Sequence, residues 1–267
     1  MNILKYCGVV CIYCIILLLN NIPTLMLMNV LGIEGDSYTV YLLYALLLLA
    51  YVSVYLLLSG KKRVFFIAKR HIRSDIAVSS LLLIGESIAL FIISVSENEK
   101  KAVTADKGKI LVMVLVVLFM ACAEEFVFRG LCRAWLRKYE KGLLRTIGVA
   151  MLSGICFGLM HIVNLVNAGA ELSYVVFQIC CAFAMGVFYY SVLLSTENIY
   201  VTIFLHFMYN VALIIPDALF DSERVNMVES GAYTGITTLS VVHCTLAVVF
   251  ALVHIILSEK NRKKRLQ

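Results

Sequence analysis

The chain has 267 residues, 62% of them hydrophobic and 15% charged, with a net charge of +6. Soluble domains are about 45–50% apolar and about 25% charged, so this composition excludes a water-soluble globular core and makes a bilayer the natural solvent. The positive charge does not require nucleic acid, because the basic runs lack the interleaved aromatic residues on which bases would stack.

A spanning helix needs about 20 apolar residues. Runs of that kind predict eight spans, at 6–28, 38–59, 76–95, 109–131, 146–167, 172–195, 198–215 and 234–257. They are too long and too uniformly apolar to be the alternating strands of a membrane barrel. The expected fold is an all-α, polytopic helical bundle, one integral-membrane domain over 1–267. No internal repeat and no low-complexity linker is evident.

In the first span, Lys5 precedes an apolar run in the manner of a signal peptide, but no small-x-small cleavage site follows. A retained helix is expected. Cys7, Cys11 and Cys14 share one face of it, and Cys11-Ile-Tyr-Cys14 has a redox or zinc spacing. No second such pair exists, so these thiols are expected to pack as small hydrophobes. The third span carries Glu86, an intramembrane carboxylate with no partner evident in the sequence.

Three basic clusters set the expected orientation. Lys61, Lys62, Arg63, Lys69, Arg70 and Arg73 follow the second span. Arg133, Arg137, Lys138, Lys141 and Arg145 follow the fourth. Lys260, Arg262, Lys263, Lys264 and Arg265 end the chain. Eight spans with both termini inside put all three on the cytoplasmic side, facing anionic lipid. The other side receives Lys100, Lys101, Lys107, Lys109 and Arg224.

The fourth span holds Glu124-Glu125-Phe126-Val127-Phe128-Arg129. A charge in hydrocarbon costs several kcal/mol unless it is paired or faces a wet cavity, which marks this stretch as an internal site. Glu125 and Arg129 are four residues apart and within reach of a salt bridge. Glu124 is turned about 100° away and is left to face the bundle interior. A base held there suits proton transfer near neutrality.

In the fifth span, Phe157 and His161 share a face, while Gly154 and Gly158 form a small-xxx-small pattern that admits a close helix neighbour. The turn before this span centres on 140–142. Glu124 and His161 lie at comparable distances on either side of it, so antiparallel helices would bring them to similar depth. That requires helix four to continue past Leu131. Asn164 and Asn167 are expected to line the outer end of the span.

The seventh span carries His206 and Asn210 on one face. An imidazole beside an amide can donate two hydrogen bonds to an oxyanion; it can equally serve as polar glue between helices. His243 and His254, in the eighth span, are expected to be packing or interfacial groups. His71, in a basic loop, is expected to face solvent.

Glu-Glu-x-x-x-Arg, Phe-x-x-x-His and His-x-x-x-Asn on three spans of an eight-span chain resemble the CPBP family of intramembrane proteases. That family includes CAAX prenyl proteases of the Rce1 type and bacterial proteins of bacteriocin processing and immunity. The motif-bearing core covers about 110–215. The resemblance implies that Glu124 is the catalytic glutamate, activating water with His161. It implies that His206 and Asn210 stabilise the oxyanion, and that Glu125 and Arg129 are a supporting ion pair, with Phe157 also supporting. No cofactor is expected to be required. Two histidines and a glutamate could hold zinc with water in the fourth position, but no His-Glu-x-x-His pairing is present.

The implied activity is an intramembrane endopeptidase acting on a membrane-associated protein or peptide, near a CAAX-type C-terminus or in a leader or signalling peptide. Its cavity would open to the cytoplasmic side. The alternative is a non-proteolytic immunity or scaffold protein that binds a peptide partner. A transporter is disfavoured by the lack of repeats and by Pro23 and Pro216, which fall near predicted helix ends.

Overall fold

The structure, a computed structural model, describes residues 2–31, 37–58, 60, 74–96, 107–167, 171–220 and 234–264. The basic residues 61–73, which include His71, and Lys100, Lys101, Arg224 and Arg265 lie outside the described residues. Among the described residues there are helices and no strand. These are α1 (Asn2–Leu19), α2 (Asn21–Leu31), α3 (Ser37–Leu58), α4 (Ser74–Ser96) and α5 (Lys107–Glu125), then α6 (Cys132–Leu136) and α7 (Leu143–Met160). They continue with α8 (Asn164–Asn167), α9 (Leu172–Thr196), α10 (Ile199–Phe220) and α11 (Thr234–Lys264).

Among the described residues, eight helical stretches are long and apolar enough to cross a membrane: Asn2–Leu19, Thr39–Leu58, Ser74–Ser96, Lys107–Tyr139, Leu143–Val163, Leu172–Thr196, Ile199–Pro216 and Ser240–Lys263. The burial pattern is that of a protein dissolved in lipid. Leu4, Val30, Leu58 and Leu144 stand exposed, while Glu125 and Arg129 are fully buried. Carbon outside and charge inside suit a solvent that is itself hydrocarbon. The protein is an all-α, multi-pass membrane bundle.

Two predicted spans need correction. The first ends at Leu19 instead of running from 6 to 28. The chain breaks at Asn20, whose side-chain amide donates to the Tyr44 carbonyl at 2.9 Å, while the Tyr44 hydroxyl donates to the Leu17 carbonyl at 2.8 Å. Pro23 then sits in the first turn of α2, where a missing N–H costs nothing. The eighth, predicted at 234–257, begins where expected at Thr234, but its helix runs on to Lys264. Its end carries Glu259, which is buried, and Arg262, which is ion-paired to it. Pro216 lies inside α10 and not at its end.

The bundle is stapled at one end by a buried carboxylate. Arg133 Nη1 donates to Glu140 Oε2 at 2.7 Å, the Tyr190 hydroxyl donates to Glu140 Oε1, and Arg262 donates to the Glu140 carbonyl. Arg262 Nη2 also donates to Glu259 Oε2 at 2.7 Å, and the Thr146 hydroxyl to Glu259 Oε1 at 2.9 Å. The ends of α6, α7, α9 and α11 are thus joined through charge-assisted bonds, which are stronger than neutral ones. The tight return between α9 and α10 is made by Glu197, whose positive φ of 53° ends α9.

The Gly154 and Gly158 pattern serves as anticipated, and its partner is α9. A Cβ at Gly154 would stand 2.8 Å from the Phe183 carbonyl oxygen, and one at Gly158 would stand 2.8 Å from that of Ile179. Close backbone approach replaces hydrophobic attraction as the packing force in lipid. Gly154→Leu is therefore expected to lower the thermal midpoint of the detergent-solubilised protein, at a cost of about 1–3 kcal/mol from overpacking. An unchanged midpoint would mean that the α7–α9 contact is not tight.

Candidate active site

The fourth span is not a regular α-helix where its charges lie. After Glu125 the chain adopts a π-helical turn, Phe126–Leu131, before α6 resumes. Such bulges release backbone carbonyls and need outside donors. Here the Phe128 carbonyl accepts two: the Ser153 hydroxyl at 2.7 Å and the Tyr6 hydroxyl at 3.1 Å. Helix four does continue to Tyr139, as the depth argument required, by way of a 3₁₀ turn over Arg137–Tyr139.

The π turn keeps Glu125 and Arg129 together, with Arg129 Nη1 2.9 Å from Glu125 Oε1. The two atoms are out of line for a hydrogen bond, and the guanidinium finds no hydrogen-bond acceptor among the described residues. Aromatic faces hold it instead. Its central carbon lies 4.1 Å from the centroid of Phe157 and 5.2 Å from that of Tyr189. A desolvated cation over a ring gains about 2 kcal/mol or more.

His206 links the two glutamates. Its Nδ1 is 2.8 Å from Glu125 Oε1 in a hydrogen bond, and its Nε2 is 3.5 Å from Glu124 Oε2. Tyr189 stacks on the imidazole with centroids 5.2 Å apart, and Phe157 meets it edge-on at 5.5 Å. Every member of this group is buried: Glu124 is 7% exposed, His206 3%, Glu125 and Arg129 0%. Two carboxylates thus face one guanidinium and share one imidazole, and pairing of this kind is the condition for keeping charge in low dielectric.

His161, expected at the depth of Glu124, lies against Phe157. It ends α7 in a 3₁₀ turn, its Nδ1 lies 3.2 Å from the Phe157 carbonyl, and its ring meets Phe157 edge-on at 5.4 Å. No hydrogen bond or ion pair joins it to Glu124 among the described residues. The two imidazoles instead share Phe157. Asn210 lies one turn beyond His206 on α10 and is half-buried. Among the described residues no three His, Cys, Asp or Glu side chains are arranged to hold a metal ion.

Glu86 finds its partner here. His243 Nδ1 lies 2.8 Å from Glu86 Oε2, although out of line for a hydrogen bond, and Tyr209 stacks on the same imidazole at 4.7 Å. His254 is a packing group held between two hydroxyls, Ser79 at 2.9 Å and Ser191 at 3.1 Å. Asn164, the first residue of α8, donates to Gln178 at 2.8 Å.

Sequence reasoning missed Tyr189, Ser153 and Tyr6. Ser153 lies one turn before Phe157 on the same face, a polar residue in an apolar stripe, and that spacing was a usable signal. Tyr6 and Tyr189 stand among many aromatic residues of apolar spans, with nothing local to distinguish them.

Residues 106–212 match the family model for the type II CAAX prenyl endopeptidase Rce1-like proteins. This segment is an Rce1-like domain. It opens at the start of α5 and closes within α10, so it encloses Glu124, Glu125, Arg129, Phe157, His161, His206 and Asn210. No curated protein and no solved structure matches the chain. An Rce1-like domain in a multi-pass bundle carries, in general terms, an intramembrane peptidase acting on a protein or peptide at the bilayer.

Proposed function

We propose that the Rce1-like domain hydrolyses a peptide bond by glutamate-activated water, and that the chain processes a CAAX-type C-terminus or a leader or signalling peptide. One observation carries this reading: the His206 imidazole is held between Glu124 and Glu125. Glu125, itself neutralised by Arg129, accepts the Nδ1 proton. The Nε2 edge is thereby aimed at the space before Glu124. Glu124, the carboxylate with no arginine beside it, is the base.

In the reaction, Glu124 takes a proton from water as the water oxygen attacks the scissile carbonyl. The oxyanion that forms accepts hydrogen bonds from His206 Nε2–H and the Asn210 amide. The carbon–nitrogen bond then breaks, and the proton held by Glu124 passes to the leaving amine. His161, across Phe157 from His206, orients the attacking water or the amine. No step needs a metal ion. Both termini and the mouth of the cavity are assigned to the cytoplasmic side, on the described basic residues Arg133, Arg137, Lys138, Lys141 and Arg145.

The test uses the full chain in liposomes with membrane-tethered peptides, farnesylated and unmodified, and mass spectrometry of the new C-termini. Cleavage that persists after dialysis against EDTA is the expected result. Activity abolished by EDTA and restored by zinc would overturn the metal-free mechanism. Absence of new termini from any tethered peptide, with the fold intact, would count against hydrolysis itself.

A further inference from the structure

Away from the charged cluster, the basic end of the bundle carries a groove of about 310 Å³ between α1, the end of helix four and α7. Ile3, Leu136, Tyr139, Gly148, Val149 and Leu152 line it, with Arg145 at its edge. Leu136 and Val149 form a buried floor, whereas Ile3, Gly148 and Arg145 are exposed. Gly148 keeps the groove open, since nothing lies within 4 Å of the place a Cβ would occupy there.

The chemistry of the lining is one-sided. Arg145 is a cation, Lys138 holds its ammonium 5.0 Å from the Tyr139 ring, and no carboxylate lines the groove. Unlike Arg133, which is tied to Glu140, Arg145 makes no ion pair with a described residue. An apolar trough of ligand size with basic residues at its mouth complements a molecule with a hydrocarbon tail and an anionic head. Basic pockets between spanning helices bind anionic lipid head groups by the same logic.

We propose that this groove is a specific site for an anionic phospholipid, with an acyl chain along Leu136, Val149 and Leu152 and the phosphate at Arg145 and Lys138. The site is independent of the peptidase reading. It fixes the packing of α1 against α7, beside the turn where Tyr6 and Ser153 hold the Phe128 carbonyl.

The protein is reconstituted in liposomes of equal phosphatidylglycerol and phosphatidylcholine, extracted gently, and its retained lipid is read by native mass spectrometry. Phosphatidylglycerol is expected to be retained about fivefold over phosphatidylcholine for each basic contact. Arg145→Gln should remove most of that preference, and its exposed position leaves the fold undisturbed. Gly148→Phe fills the trough while keeping both cations and should remove the retained lipid as well. Equal retention of the two lipids would overturn the proposal, as would a preference undiminished by Arg145→Gln. A preference lost in Arg145→Gln but kept in Gly148→Phe would also overturn it, leaving only diffuse surface attraction.

Discussion

Glu124→Gln is expected to lower cleavage of a tethered peptide by about 10²–10⁴-fold, the span that a positioned general base contributes, while the protein melts near the parent temperature. The amide is nearly isosteric and can still approach His206 Nε2, which lies 3.5 Å away. It cannot accept the proton of water. Glu125→Gln should separate the two carboxylates by phenotype. It loses the anion that holds His206 Nδ1 at 2.8 Å and faces Arg129, so its thermal midpoint falls along with its activity. Initial rates and melting curves measured on the same preparations check both. A Glu124→Gln protein that cleaves like the parent would remove the base from the proposed reaction. One that no longer cleaves but still protects cells or supports a peptide partner would favour the immunity or scaffold reading.

The second large effect lies at Arg129. Arg129→Ala is expected to destabilise the bundle by about 3–5 kcal/mol, the cost of leaving a buried charge without its partner. The guanidinium is wholly buried, between Phe157 of α7 and Tyr189 of α9. The double variant Glu125→Gln with Arg129→Met removes both charges and should recover much of the midpoint, because an apolar replacement of a buried pair is often neutral or stabilising. It should not recover cleavage, since His206 would lose its anchor. Melting curves in one detergent, with peptide cleavage alongside, decide this. A parent-like melt for Arg129→Ala would show that the cation is solvated and that the cluster is not the closed group described above.

Much of this arrangement was legible in the residues. Glu125 and Arg129 four apart on an apolar helix can hardly do other than pair. The small-xxx-small stripe at Gly154 and Gly158 announces a close neighbour without naming it. Other features had no local mark. Glu86 and His243 meet across α4 and α11, far apart in sequence, and neither residue signals the other. The π turn at Phe126–Leu131 arises because Ser153 and Tyr6, from two other helices, supply donors for a released carbonyl. A helical wheel drawn on helix four alone cannot include them.

The pairing of Glu124 is the sharpest case. Counting residues from the turn suggested His161, since rise per residue estimates depth along an axis. Contact also depends on the direction in which each helix face is turned, and that is set by neighbours. Close approach at Gly154 and Gly158 fixes α7 against α9, and Phe157 then lies between the arginine and both imidazoles. His206 is the imidazole brought to the carboxylates. Solvent, helical class, span number and the ionisable residues that must lie inside are settled by composition and spacing, because transfer into hydrocarbon is a property of each segment. Which imidazole meets which carboxylate is settled only in the folded bundle, because it depends on rotations of helices about their axes that no single segment determines.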